Sequence, residues 1–259
     1  MSTGLSFVPG PAANSWSAMV VSHARMELRL LVRNGEQLLL ALVIPLLLLT
    51  GGAESGKVVD LGSGRRIDVL TPGVVALAVM STSFTSLAIA TAFERRYGVL
   101  KRLGASPLPR SGLLLGKVLS LLAVETAQLL VICAVGLALG WHPHGGLPAL
   151  GAGLVLVAAG TAAFASLGLL MAGTLRAEAT LAGANLVYVV LLVAGAVVVP
   201  LSKYPGWLHP VVSALPSGAL AEGLREVCSG SSLAWWRVGV LVVWAAAAGV
   251  LTSRTFRWE

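Results

Sequence analysis

Long apolar stretches recur along the whole chain, and charged or proline-containing segments separate them. Six can be delimited, at residues of about 36–52, 72–93, 113–139, 147–175, 181–200 and 233–251. An α-helix rises 1.5 Å per residue, so about 20 apolar residues cross a hydrocarbon core of about 30 Å. The stretches have roughly this length, the first only when its flanks are included. The pattern therefore predicts an all-α membrane protein with six transmembrane helices.

The composition agrees with lipid as the main solvent of the chain. Only 11% of the residues are charged and 56% are hydrophobic. A soluble domain typically has about 25% charged residues. The 259 residues suit a single transmembrane domain over 1–259 and leave no room for a soluble catalytic domain beside six spans.

The formal net charge of +7 lies in short segments beside the apolar stretches. There it sets topology and meets anionic membrane lipid, so nucleic acid is not an expected partner. Twelve of the 18 lysines and arginines fall on the side of the membrane that holds the termini when six spans alternate. Because positive residues accumulate on the inner side, both termini are predicted to be cytoplasmic, in a cytoplasmic membrane.

Residues 17–34 precede the first span and read as an amphipathic helix. Arg25, Arg29 and Arg33 recur every four residues and form one basic stripe, with apolar residues between them. A helix of this kind lies along the membrane interface rather than across the bilayer. We therefore expect an N-terminal interfacial helix.

The segment 201–232 separates the fifth and sixth spans and is too long for a turn. It contains Pro205, Pro210 and Pro216 and has apolar stretches that are too short to cross the membrane. The pattern predicts two short helices that break near Pro216 and dip into the outer leaflet as a re-entrant segment.

Residues that could hold a nucleotide or a metal are few. Gly51 to Val58 read GGAESGKV, but Val58 replaces the hydroxyl residue that a phosphate-binding loop places on magnesium. Cys133 and Cys228 have neither disulfide nor metal spacing. With no hydrolytic motif either, we expect no catalytic residue, metal site or cofactor on this chain. A partner or an ion gradient must then supply the energy for any active transport.

Glu125 is the one acidic residue deep inside a predicted span, and Gln128 lies on the same helical face. A carboxyl group at that depth is costly, so a functional role is the first hypothesis. Hydroxyl residues cluster in the second span, and Ser81 and Thr85 are the two that we assign, with Glu125 and Gln128, to a candidate translocation path. The alternative for all four is structural hydrogen bonding, either to their own helix or to neighbouring helices.

The segment 94–110 joins the second and third spans and is strongly charged. Residues 93–117 read FERRYGVLKRLGASPLPRSGLLLGK. This resembles the cytoplasmic signature of the type 2 ABC transporter permeases, the family of bacterial drug, lipid and polysaccharide exporters. Val99 stands where that family more often has threonine. The outer stretch 210–225 resembles the proline-rich element of the same family.

The resemblance implies the permease subunit of an ATP-driven exporter that moves a hydrophobic or amphiphilic drug, lipid or glycan. It implies a second permease, identical or related, and two separate nucleotide-binding subunits that hold ATP and Mg²⁺. The segment 94–110 would then contain a cytoplasmic coupling helix that transmits their motion. The resemblance assigns coupling to Phe93, Glu94, Arg95, Arg96, Tyr97, Gly98, Leu100, Lys101, Arg102, Ser106, Pro107 and Arg110.

Two other functions are compatible with the residues. Glu125 could be the proton site of an ion-coupled secondary transporter, although such carriers usually contain internal repeats and none is evident here. The chain could also be a membrane assembly protein that transports nothing. Co-purification with an ATP-binding protein would separate the exporter from both.

Overall fold

The structure is a computed structural model that describes residues 15–33, 35–54, 65–104 and 108–256. The described residues form helices joined by short connections and contain no β-strand, so the all-α prediction is confirmed. The helices are α1 (Trp16–Arg33), α2 (Gly35–Glu54), α3 (Arg66–Met80), α4 (Leu87–Arg96), α5 (Val99–Gly104), α6 (Arg110–Ala138), α7 (Gly146–Thr174), α8 (Ala177–Ala194), α9 (His209–Ala214), α10 (Pro216–Cys228) and α11 (Trp235–Thr255).

Five helical stretches among the described residues are long and apolar enough to cross a membrane. They are Arg66–Arg96, Ser111–Ala138, Gly146–Thr174, Ala177–Ala194 and Trp235–Thr255. The prediction of an integral membrane protein is confirmed at this level. The remaining predicted span corresponds to α2, in which the described apolar part is shorter.

The stretch Arg66–Arg96 runs through the centre of the bundle. It consists of α3, a π-helical turn (Ser81–Ser86) and α4, and nearly every side chain of α3 is buried. Helices α2, α6, α7 and α10 surround α3. A π-helical turn widens the helix by one residue and is frequently found at functional sites. Here it carries the hydroxyl residues of the second predicted span.

Glycine allows α7 to approach this turn closely. A Cβ atom on Gly168 would lie 2.9 Å from the carbonyl oxygen of Phe84. Small residues permit such backbone contact between membrane helices, where van der Waals packing is the main source of association. The other side of α7 packs along α11, and this pair forms the most extensive helix contact among the described residues.

The predicted end of the fifth span at residue 200 is wrong, because α8 ends at Ala194. Residues 195–199 are irregular, and Ala196 has a φ of 54°. The guanidinium of Arg225 donates hydrogen bonds to the carbonyl oxygens of Ala196, at 2.6 Å, and Val197, at 2.5 Å. The carbonyl groups of this irregular segment are thus satisfied by a side chain 28 to 29 residues away.

Two short helices, α9 and α10, follow the irregular segment. They meet at Leu215, whose extended backbone (φ −74°, ψ 143°) is the conformation expected immediately before Pro216. Helix α10 packs against α3, α7 and α11, so most of its side chains are buried. Helix α10 is therefore part of the core, whereas residues 201–211 are exposed or half-buried.

Candidate functional site

A buried group of charges joins α1, α4 and α6. The ammonium nitrogen Nζ of Lys117 lies 2.7 Å from Oε1 of Glu94 and 3.4 Å from Oε2 of Glu27. Lys117 is only 9% exposed, and Glu27 is also buried. Glu94, which the sequence assigned to coupling, therefore has an internal partner. The sequence analysis missed Glu27, although it lies opposite the exposed Arg25 and Arg29 on α1.

His23 lies next to this group on the same face of α1, with Nε2 3.6 Å from Oε1 of Glu27. Burial lowers the pKa of His23 below its usual value of 6.5, and the attraction of Glu27 offsets part of that effect. The positive charge of Lys117 lowers the pKa further. His23 is therefore a neutral imidazole at neutral pH. It packs against Gly116, where a Cβ would lie 2.5 Å from the ring.

Arg95 and Arg96, also predicted coupling residues, hold the connection between α7 and α8. The guanidinium of Arg95 donates to the carbonyl oxygens of Gly173, at 2.7 Å, and Leu175. Arg96 forms an ion pair with Glu178 in the first turn of α8. A cation near the last carbonyls of a helix and an acid at the start of the next are both favourable placements. These two arginines bind α4 to its neighbours within the chain.

Besides Arg96, which is itself exposed, three exposed residues at this corner form a small surface, here named the basic corner: Tyr97, Lys101 and Arg102. Tyr97 is 63% exposed and stacks on Phe93, with ring centroids 6.1 Å apart. Gly98 has a φ of 68°, which allows the sharp turn between α4 and α5.

Other predicted coupling residues differ in their placement. Leu100 faces inward and is buried. Ser106 and Pro107 lie outside the described residues, as does the side chain of Arg110.

A second polar group lies deep among the apolar helices and is centred on Glu125. The hydroxyl of Ser83 donates to Oε2 of Glu125 at 2.6 Å, and Oγ1 of Thr161 lies 2.5 Å from Oε1. Thr161 also lies 2.9 Å from the carbonyl oxygen of Val157. Because a hydroxyl has one hydrogen, Thr161 donates either to Glu125 or to Val157. In the second case Glu125 itself donates, so the geometry accommodates a charged or a protonated carboxyl group.

Gln128 extends this polar group toward α2. Thr82 donates to Oε1 of Gln128 at 2.6 Å, and Nε2 of Gln128 donates to the carbonyl oxygen of Ala41 at 2.6 Å. The structure thus brings Glu125 and Gln128 together with Thr82 and Ser83 of the π-helical turn.

Two of the predicted path residues lie away from the polar group. The hydroxyl of Ser81 is hydrogen-bonded to the phenol of Tyr188, while Oγ1 of Thr85 is buried with no hydrogen-bond partner in the described part of the chain. Residues four apart share a face of a regular α-helix, but a π-helical turn bonds i to i+5 and rotates that face. The spacing of the hydroxyls alone could not reveal this rotation.

Two cavities accompany these polar groups. One of about 370 Å³ lies among α1, α4 and α6 and is lined by Glu27, Glu94 and Lys117 among apolar side chains. The other, of about 600 Å³, lies among α3, α6, α7 and α10 and is lined by Glu125 and Thr161 among apolar side chains. Among the described residues, no three metal-binding side chains are close enough to hold an ion.

Comparison with known proteins places these features in a family. Residues 15–228 match the model of the ABC-2 type transporter family. The chain is 29% identical over 184 residues to the probable doxorubicin resistance ABC transporter permease protein DrrC of Mycobacterium tuberculosis, covering 70% of this chain and 65% of DrrC. It is 31% identical over 192 residues to the daunorubicin resistance ABC transporter permease protein DrrB1 of Streptomyces coeruleorubidus, covering 72% of this chain and 66% of that protein.

The aligned region therefore spans just under two thirds of the DrrC relative. The match to the family model includes α1, the α4–α5 corner, the polar group around Glu125 and all of α10. This covers most of the described helices. The chain is an integral membrane protein that belongs to the ABC-2 type transporter family.

Proposed function

We propose that the chain is the transmembrane permease subunit of an ABC exporter in the bacterial cytoplasmic membrane. Its cargo is a hydrophobic or amphiphilic compound, and ATP and Mg²⁺ are bound by two separate nucleotide-binding subunits. A second permease completes the complex. The relatives' names, doxorubicin and daunorubicin resistance permeases, favour a drug-like cargo over a glycan. The observation that carries the proposal is the basic corner, which is exposed and is joined to the membrane helices through α4.

The connections of the basic corner suit a coupling role. Helix α5 is joined to α4 by the tight turn at Gly98, and α4 is fixed to its neighbours by three side chains: Glu94 bonds to α6, Arg95 to the end of α7 and Arg96 to α8. A push on α5 would therefore move several membrane helices together. In this proposal Tyr97, Lys101 and Arg102 meet the nucleotide-binding subunit, while Glu94 to Arg96 transmit its motion.

Six spans are supported by what lies at the two ends of α6. Near its start, His23 of α1 packs against Gly116, and after its end, Arg65 lies 2.8 Å from His142. The chain must pass from the first end to the second between Arg33 and Arg65. Helix α2 has 20 residues and a length of about 30 Å, which is sufficient for the crossing.

With six spans, the distribution of lysine and arginine assigns the inner side. The end of the bundle that contains α1, α5 and the start of α6 holds the majority of these residues, so it is cytoplasmic in our proposal. Both termini lie there. Helix α1 then lies along the inner membrane interface, and the segment 201–232 re-enters the membrane from outside. The whole of 1–259 forms one permease domain.

Charge reversal at the basic corner tests the function directly. The double variant Lys101→Glu/Arg102→Glu would be co-expressed with an ABC ATP-binding subunit, and both association and cargo-stimulated ATP hydrolysis measured. We expect association to weaken by about tenfold or more, since oppositely charged surfaces that meet are converted to repelling ones. Arg254→Glu, at the exposed end of α11, controls for the loss of positive charge on the same side. Association equal to that of the unmodified chain would contradict the coupling role.

A second candidate function follows from the two hydrogen-bonding arrangements of Glu125. A carboxyl group that can be charged or protonated within the bundle is what a proton-coupled carrier requires. This function predicts cargo movement driven by a proton gradient in vesicles that contain this chain alone, without nucleotide. The exporter predicts movement only with the ATP-binding subunit and ATP present.

A further inference from the structure

The cavity of about 600 Å³ beside Glu125 is a groove between two helices that are neighbours in sequence. Helices α6 and α7 are joined by a short connection, yet they scarcely touch, and both pack against α3. The space between them is here named the lateral groove. Its floor is made by Pro72, Val75, Leu224 and Cys228 of α3 and α10. Its opening faces away from the core, where the apolar side chains of α6 and α7 are exposed.

The charge distribution along the lateral groove is one-sided. Its walls are almost entirely apolar, and Glu125, a buried residue, contributes to its lining at one end. The opposite end lies near Trp141 and His144, just beyond the end of α6 at Ala138, which is about 20 Å from Glu125 at 1.5 Å per residue. Among the described residues that line the groove there is no lysine or arginine. A charged Glu125 therefore has hydroxyl donors but no cationic partner within the groove.

We propose that the lateral groove binds an amphiphilic organic cation, with its apolar body along α6 and α7 and its cationic amine at Glu125. As a cargo site, this assignment rests on the proposed exporter function. The volume lies within the range of about 300–1,000 Å³ that is usual for sites of drug-sized molecules. Ser83 and Thr161 each occupy one lone pair of the carboxylate. In our proposal the amine bonds to a remaining lone pair when it enters the groove.

The empty groove is chemically acceptable as well. An unpaired carboxylate within a membrane is costly. When Thr161 donates to the carbonyl of Val157, Glu125 is protonated and donates to Thr161. The same carboxyl group thus holds a proton without ligand and a cation with it. A glutamine would suffice for a purely structural hydrogen bond at this depth. The exchange of a proton for a cation explains why the residue is a glutamate.

The test measures binding to the purified full chain in lipid nanodiscs without nucleotide or partner. Two fluorescent probes of matched shape are compared, 1-pyrenemethylamine, which is cationic at neutral pH, and the neutral 1-pyrenemethanol. Empty nanodiscs give the contribution of lipid. We expect Glu125→Gln to weaken binding of the amine by about tenfold or more, the usual effect of losing a charge-assisted hydrogen bond, and to leave the alcohol unchanged. Equal loss for both probes, or no loss, would overturn the cation assignment.

Two glycines on α7 provide a matched pair of steric variants. Gly153 lines the groove, and a Cβ there meets only Leu224, at 4.0 Å. Gly151 lies two residues away, outside the groove, with nothing within 4 Å. Gly153→Phe should fill the groove and weaken both probes, while Gly151→Phe should change neither. Unaltered binding in Gly153→Phe would overturn the location.

The native cysteines report whether the variants keep their structure. Cys133 and Cys228 both line the groove, and both are free thiols. Bound amine should slow their reaction with N-ethylmaleimide in the unmodified chain but not in Glu125→Gln, whose empty groove should react at the unmodified rate. Absence of amine protection in the unmodified chain would overturn the site. This binding test contains no partner subunit, so a negative result would not contradict the exporter proposal, which the association experiment tests. Conversely, a negative association experiment would not contradict binding of the amine in the lateral groove.

Discussion

Lys117 is the positive charge on which the contact between α1, α4 and α6 depends. Among the described residues, Lys117 is the cationic side chain that lies within 4 Å of both Glu27 and Glu94. Replacing it leaves two carboxylates with little exposure and no counter-charge, and breaking a buried ion pair in this way typically costs about 3–5 kcal/mol. We expect Lys117→Met to lower thermal stability in detergent accordingly.

The matched control for this variant is Lys101→Met, because Lys101 is exposed on α5. Substitutions at such surface positions usually change stability by about 0.5 kcal/mol or less. If the two variants unfold at the same temperature, the buried charge group contributes nothing to the packing of α1 on α6.

His23 should make stability depend on pH. Burial lowers its pKa, so on acidification the unfolded chain takes up a proton near pH 6.5 while the folded chain does not. The unfolded state then binds more protons, and folding stability declines as the pH falls below 6.5, by at most about 1.4 kcal/mol per pH unit. Above 6.5 both states are neutral and the effect vanishes. Unfolding temperatures between about pH 5.5 and 7.5 would measure it.

His23→Gln should flatten this pH dependence. His144→Gln, at an exposed position, should preserve it. The reverse pattern, or an equal slope in all three proteins, would show that another group is responsible for the pH dependence.

At the residue scale, the sequence could identify the polar positions but not most of their partners. Glu125 and Gln128 were recognisable because polar groups are rare within apolar stretches. Their contacts with Thr82 and Ser83 depend on a π-helical turn, which no pattern in the sequence indicates. Likewise, the charges of Glu94 to Arg96 suggested a docking surface, whereas their partners on other helices occupy them within the chain.

At the element scale, the irregular segment after α8 depends on close packing against α3. A Cβ on Gly73 would overlap the carbonyl oxygen of Val197 and lie 2.7 Å from Nη2 of Arg225. The first contact is with backbone, which cannot rotate away. We expect Gly73→Ala to displace the segment and reduce stability by about 1–3 kcal/mol, the usual cost of overpacking.

Gly151→Ala is the control for this substitution, since that position has open space around it. There alanine should be neutral or slightly stabilising, because it favours helix more than glycine does. Thermal unfolding of the two variants would be compared. Equal stability would mean that the segment 195–199 can shift without loss.

The error in the predicted end of α8 has a physical origin. The residues after Ala194 remain apolar up to Pro200, so hydropathy continues the span. After Ala194 the chain is irregular, and Arg225, a side chain from α10, satisfies the carbonyl groups of Ala196 and Val197 in that segment. An interaction between elements this far apart in sequence leaves no local signal. Helix lengths were predictable where proline or charge marks the end, as at Thr174 just before Arg176, and not where tertiary contact decides.

At the scale of the whole molecule, the two ends of α6 have different neighbours. Helix α1 lies at the first end, and the connections that contain His142 and Ser231 lie at the second, where His144 bonds to the carbonyl of Cys228. Whether the chain has five or six spans therefore reduces to whether α2 crosses the membrane. If it does, α1 and the end of α11 are on the same side. If it does not, they are on opposite sides.

Single cysteines distinguish these arrangements in a chain from which Cys133 and Cys228 have been replaced by alanine. Val32 on α1 is 58% exposed, and Ser231 and Ser253 are also exposed. With six spans and cytoplasmic termini, an impermeant maleimide added to intact cells should label Ser231→Cys alone. Val32→Cys and Ser253→Cys should react only after permeabilisation, which also proves that both positions are accessible. If Val32→Cys is labelled in intact cells and Ser253→Cys is not, then α2 does not cross the membrane and the protein has five spans. Labelling of Ser253→Cys instead of Ser231→Cys would reverse the orientation and place the basic corner outside, where no nucleotide-binding subunit could reach it.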